Sequence, residues 1–116
     1  MQILFIVLND LTQLPTILDT FVKLKVRGAT ILDSEGMAKA VLENEGLNYL
    51  LSGPFQKISN QKVGSSKTIF TVIPKDEQAP LIVEEIQKVL TTSNEEVIGF
   101  MFTLPVSGIY PLKSSK

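Results

Sequence analysis

Residues 2–8 read QILFIVL, a short run that is apolar after Gln2 and rich in branched side chains. A run of this length and composition is typical of a β-strand buried on both faces. Asn9 and Asp10 follow it as a polar stop. The sequence therefore predicts a first strand over residues 2–8.

A helix is predicted next. Its apolar residues recur at helical spacing: Leu14, Ile17, Leu18, Phe21 and Leu24. Either Asp10 or Thr12 could cap its start, and Gly28 predicts that it ends earlier in the chain. Asp19 and Lys23 stand four residues apart, a spacing that favours an ion pair on the exposed side of a helix.

The remaining chain repeats this order. Strands are predicted over 29–33 (ATILD), 67–73 (KTIFTVI) and 97–104 (VIGFMFTL), with a second helix between the last two. Strand-helix-strand units close right-handedly, which places both helices on one face of the sheet. The fold class is therefore predicted to be α+β, a ferredoxin-like βαββαβ domain with a four-stranded antiparallel sheet and two helices on one face.

The length of 116 residues favours one domain spanning 1–116. Between the second and third strands lies a long segment, about 37–66, whose first residues could form two helical turns and whose end is polar and rich in Gly and Ser. An insertion this long in a compact domain is usually functional or mobile.

The amino-acid composition argues against several classes of function. The chain has 11 basic and 12 acidic residues, so a net charge of −1 argues against nucleic acid as a partner. It contains no Cys and no His, which removes thiolate and imidazole catalysis and the usual transition-metal ligands. No nucleophile, base and orienting partner combine elsewhere, so we expect neither an enzyme nor a metal site.

The sequence shows no signal-peptide pattern and no membrane-span pattern. No basic residue precedes the apolar opening, and no run approaches the ~18 apolar residues that a membrane span needs. We therefore expect a cytoplasmic protein without membrane insertion.

The predicted strands are more apolar than two helices can cover. Residues 3–8 contain no polar side chain, and neither do residues 97–102. A sheet with helices on one face only should alternate apolar and polar residues. Soluble proteins rarely leave a large apolar patch bare, so the second face is expected to be buried between subunits. The alternative is that the long segment and the C-terminal tail fold back over it.

Three strings of residues, in this order and spacing, resemble those of the PII-like signalling proteins, the nitrogen regulatory protein P-II superfamily. The resemblance spans nearly the whole chain. The strings are Gly28-Ala29-Thr30-Ile31 followed by Gly36-Met37, then Gly64-Ser65-Ser66-Lys67-Thr68-Ile69-Phe70, and then Phe102-Thr103-Leu104-Pro105-Val106.

The resemblance implies a homotrimer with small-molecule sites in the clefts between subunits. It also implies that the long segment is a T-loop, which changes conformation with ligand and docks on a partner protein. A small anionic ligand, with an adenine nucleotide as the candidate, would then be held by two groups. Gly28, Thr30, Gly36 and Met37 would line the base side, and Gly64, Ser65, Ser66 and Lys67 the phosphate side.

The chain also departs from the family. Ser65 and Ser66 stand where the family has Asp and Gly, Arg27 is the only arginine, and the uridylylation motif is absent. A structural or interaction module of the same trimeric fold, with an empty cleft, is therefore the alternative function.

Overall fold

The computed structural model describes residues 1–43, 65–90 and 98–115. The strands are β1 (Gln2–Leu8), β2 (Thr30–Ser34), β3 (Ser66–Ile73) and β4 (Gly99–Pro105). The helices are α1 (Leu14–Lys23), preceded by a 3-10 turn (Leu11–Gln13), α2 (Met37–Glu43) and α3 (Gln78–Val89). The predicted fold class is confirmed, with strand bounds that differ by one or two residues from those expected.

The four strands form one sheet in the order β2-β3-β1-β4, and every neighbouring pair is antiparallel. β1 and β3 are central, whereas β2 and β4 are the two edge strands. This order is that of two strand-helix-strand units packed into one sheet.

The core lies between the sheet and the helices α1 and α3. Alternate residues of β1, namely Leu4, Ile6 and Leu8, are almost fully buried there. They meet other buried side chains in one cluster, which also contains Ile17, Phe21, Ile69, Ile73, Ala79, Ile82 and Ile86. Because successive side chains of a strand point to opposite faces, the remaining residues of each strand face the other side of the sheet.

The ends of α1 are set by local hydrogen bonds. The Asp10 carboxylate accepts the backbone N–H of Thr12, so Asp10 rather than Thr12 caps the turn that leads into α1. At the other end, Val26 donates its N–H to Phe21 O and Lys25 donates its N–H to Val22 O. This is a Schellman motif with Lys25 at a φ of 59°, so the helix ends before Gly28, as predicted.

The segment of about 37–66 is not a loop throughout. Its first seven residues form α2, and Ser66 already belongs to β3. Residues 44–64, including Tyr49, lie outside the described residues. Within the described ranges, no helix is long and apolar enough to cross a membrane.

Candidate functional site

The sheet face turned away from α1 and α3 carries a row of phenylalanine rings. The register pairs Phe5 of β1 with Phe70 on one side and with Phe102 on the other. The rings of Phe5 and Phe102 are nearly parallel, with centroids 4.9 Å apart. The centroid distance is 5.7 Å between Phe5 and Phe70 and 6.2 Å between Phe100 and Phe102. We refer to these four residues as the phenylalanine ladder.

Much of this face is exposed in the single chain. The exposed fractions are 58% for Phe100, 41% for Phe102, 49% for Leu104 and 50% for Leu32. The prediction of an apolar second face is therefore confirmed. Within the described part of the C-terminal tail, Ile109, Tyr110 and Leu112 are themselves exposed. What covers the face stays a prediction.

The residues predicted to bind ligand lie at the two ends of β2. At its start, Gly28 has a φ of 71° and its carbonyl accepts a hydrogen bond from the Thr71 hydroxyl at 3.2 Å. Thr30, the first residue of β2, is exposed and pairs with Phe70, so its side chain belongs to the ladder face. Four residue steps of an extended strand, about 14 Å, separate Thr30 from Ser34 at the other end.

At the far end of β2 the structure brings most of the other predicted residues together. Ser66 pairs with Ser34, and Gly36 comes two residues later, directly before α2, which begins at Met37. Gly36, Met37 and Ser65 are exposed there, and Ser66 is buried. Gly36 and Met37 thus lie at the same end of β2 as Ser65 and Ser66, and at the opposite end from Gly28 and Thr30. Gly64 lies outside the described residues.

Lys67 and Ser66 face opposite sides of the sheet. Lys67 pairs with Asp33, and its Nζ donates to Asp33 Oδ1 at 2.5 Å, on the face that carries the helices. This hydrogen bond, together with the charge of the ammonium, holds the pKa of the Asp33 carboxyl below its ordinary value of 3.8. The ammonium of Lys67 is therefore already engaged in the chain.

Three hydroxyls form a chain on the ladder face at the same end. Ser66 Oγ donates to the Ser34 carbonyl at 2.9 Å, and Thr68 Oγ1 donates to Ser34 Oγ at 3.0 Å. Because Ser66 has spent its single hydrogen, Ser34 Oγ is the donor to Ser66 Oγ at 2.8 Å. All three hydrogens are used inside this hydroxyl chain, which leaves only acceptor capacity to its surroundings.

A second lysine, Lys39, lies close to Ser65. Lys39 of α2 places its Nζ 3.5 Å from Ser65 Oγ and 3.9 Å from a carboxylate oxygen of Glu43. Its side chain is partly buried, with 27% of its surface exposed. Within the described residues, Lys39 is thus a cation that lies beside Ser65 on the side of α2.

Sequence reasoning missed Lys39, Ser34 and Thr68. Lys39 carried one usable signal, since it is two residues after Met37 in a segment expected to be helical. Ser34 and Thr68 carried none, because their meeting depends on the register of β2 on β3. Within the described ranges, no group of three His, Cys, Asp or Glu residues could hold a metal ion.

The comparisons with known proteins support the fold. The chain matches no family model and no curated protein sequence. It superposes on the crystal structure of Arabidopsis thaliana PII bound to citrate with a TM-score of 0.60, over 91% of this chain and 77% of that one. The sequences are 18% identical over this match. The chain is thus an α+β, ferredoxin-like protein, and more narrowly its fold is that of the PII proteins.

Proposed function

We propose that this chain is a PII-like regulatory protein of the cytoplasm rather than an enzyme. It assembles as a homotrimer, binds a small anionic ligand in the cleft between subunits, and signals to a partner protein through the segment of about 37–66. Ligand binding shifts this segment toward one of its states, which requires that the ligand prefer that state.

The observation that carries the proposal is the exposed phenylalanine ladder. Two of its rings keep 41% and 58% of their surface accessible, next to an equally exposed Leu104. A contiguous apolar surface of this kind marks an interaction site in a soluble protein. A trimer in which three such sheet faces meet buries it, and it creates the clefts in which a ligand would bind.

The turn end of β2 supports an anionic ligand. Lys39 Nζ lies 3.5 Å from the Ser65 hydroxyl, and Gly36 and Met37, three and two residues before Lys39, are exposed. The superposed PII protein was crystallised with citrate, itself a small polyanion. We therefore place the anionic end of the ligand, an adenine nucleotide or a carboxylate such as citrate, near Lys39 and Ser65. Its other end extends along β2 toward Thr30 and Gly28.

Two measurements test the proposal: the mass of the assembly in solution and the heat of ligand binding. Size-exclusion chromatography with light scattering should give three times the mass of the chain at micromolar concentration. Calorimetry and thermal shift with ATP, ADP, AMP, cyclic nucleotides and citrate should then give saturable binding of at least one ligand. The variant Lys39→Gln should weaken that binding, and Lys75→Gln, a charge change in the exposed turn after β3, should not. A monomer, or no binding of any of these ligands, refutes the corresponding half.

One observation favours the alternative of a structural module with an empty cleft. The Lys67 ammonium and the Ser66 hydroxyl, both predicted to bind phosphate, are already hydrogen-bonded within the chain. Limited proteolysis separates the two functions. A signalling segment should be cut near residues 59–66 and be protected by ligand, whereas an arm packed on a neighbour should resist cleavage with or without ligand.

A further inference from the structure

The sheet has two open edges, and they differ in what lies beyond them. Beyond β4 the chain continues into the C-terminal tail, which we define as residues 107–116; just before it, Val106 donates its N–H to Met1 O at 3.1 Å. Beyond β2 no strand is paired within the described residues. An unpaired strand edge presents a row of N–H and C=O groups that another extended segment can bind.

β2 is an unusual edge strand, because its four residues from Thr30 to Asp33 are all exposed although two of them are apolar. Ile31 is 39% and Leu32 is 50% exposed. Natural edge strands usually carry charges or prolines that prevent pairing. β2 has neither device along most of its length, and its single charged residue, Asp33, is neutralised by Lys67.

The C-terminal tail belongs to no strand of the described sheet, although it carries exposed apolar side chains. Its residues Ile109, Tyr110 and Leu112 are 49%, 86% and 100% exposed. Pro111 lacks an N–H, but in an extended strand its backbone faces the same edge as that of Ile109. The missing donor therefore does not prevent pairing along the other edge. Tyr110 and Leu112 direct their N–H and C=O groups to the opposite edge, and this edge can pair.

We propose that the C-terminal tail of one copy adds to the edge of β2 in a neighbouring copy. This inference rests on the proposed trimer and goes beyond it, since it names the two segments that join the subunits. The contact combines main-chain hydrogen bonds along β2 with burial of Tyr110 and Leu112. It extends each four-stranded sheet by one strand that comes from the next subunit.

Charge and symmetry both select a second copy as the occupant. The tail contains two lysines and no acidic residue, while the exposed Glu35 directly follows β2, and β2 itself contains no basic residue. The contact joins two different surfaces, so it is head-to-tail. Head-to-tail contacts generate rings, and a three-membered ring needs such a contact because a trimer has no two-fold axis to relate identical surfaces.

The absence of cysteine from the chain allows a direct test. In the double variant Leu32→Cys/Leu112→Cys, one thiol lies on β2 and one in the tail. A short bismaleimide is added to the protein at micromolar concentration, and the products are separated on a denaturing gel. The matched control is Gln87→Cys/Leu112→Cys, in which the first thiol is at an exposed position of α3. Each single-cysteine variant can give a covalent dimer at most.

We expect covalent trimers from the Leu32→Cys/Leu112→Cys protein and none from the control. An intrachain link only, which would place the tail on its own β2, overturns the proposal, and so does the absence of any link. Removal of residues 107–116 should raise the dissociation constant of the trimer at least tenfold with an unchanged circular dichroism spectrum. If the intact chain is a monomer, the proposed function fails as well. If it is a trimer that gives no covalent trimer, only the tail contact fails.

Discussion

Replacement of Phe100 tests whether the phenylalanine ladder holds subunits together. Phe100 is 58% exposed in the single chain, and its ring centroid lies 6.2 Å from that of Phe102. Full burial of a large apolar side chain contributes roughly 1.5–3 kcal/mol. The fraction that remains exposed is therefore worth about 1–2 kcal/mol per subunit when a neighbour covers it.

Because three subunits lose this contact together, Phe100→Ala should destabilise the trimer by about 3–6 kcal/mol. At about 1.4 kcal/mol per factor of ten, its association constant should fall by about two to four orders of magnitude. Sedimentation over a range of concentrations measures this fall. Phe100→Glu should leave no trimer at micromolar concentration, because it would bury three carboxylates together.

The control for this experiment is Leu81→Ala on α3. Leu81 is 63% exposed, comparable to Phe100, but it lies on the helix layer and not on the ladder face. The Leu81 variant should assemble like the unchanged chain, and all variants should keep the same far-ultraviolet circular dichroism. A Phe100→Ala trimer as tight as the original, or an equal loss in the Leu81 variant, would refute the role of the ladder.

Three further predictions concern stability and titration. Lys25→Gly should raise the free energy of unfolding by about 0.5–1 kcal/mol in urea denaturation, because the φ of 59° at the end of α1 favours glycine. Gly99→Ala should lower it by about 1–3 kcal/mol, because the added Cβ would lie 2.1 Å from the carbonyl oxygen of Val7. The Asp33 carboxyl should titrate below 3.8 in carbon-detected NMR, since its pKa is depressed by Lys67. The ion pair therefore contributes stability that is present above pH 3.8 and is lost as the pH falls through the folded pKa, and Lys67→Met should remove the depression.

Each of these has a counterpart that should not respond. Gly36→Ala adds a Cβ with no heavy atom within 4 Å, so its effect on unfolding should stay within about 0.5 kcal/mol. Lys25→Ala keeps the strained backbone and should not stabilise the chain. An Asp33 titration at or above 3.8 in the unchanged protein would show that the pair with Lys67 does not form in solution.

Much of the fold could be predicted because its signals are local. The apolar run of residues 2–8 marks β1, and the helical spacing of Ile17 and Phe21 marks the buried side of α1. The end of α1 before Gly28 was also predicted, but the residue at which the chain turns was not. Gly28 is the conventional signal, yet the left-handed residue is Lys25, because packing of Val26 against the core fixes where the chain turns.

The candidate site was predictable only in part. Ser65, Ser66, Gly36 and Met37 lie at the same end of β2, whereas the sequence reasoning had grouped Gly36 and Met37 with Gly28 and Thr30. The roles within that group were not accessible, because strand alternation turns Lys67 to the helix face and leaves Lys39 of α2 beside Ser65. Which side of the sheet a residue faces changes with a shift of a single position in register.

The sequence by itself determined that four apolar strands and two long amphipathic helices would form, and that the strands hold more apolar surface than those helices can cover. These properties follow from residue type and local spacing. The tertiary structure alone decided which side chains share a face. It placed Phe5 between Phe70 and Phe102, formed the hydroxyl chain around Ser34, and left the edge of β2 open. Such contacts join residues tens of positions apart, and only the strand order and register of the folded sheet bring them together.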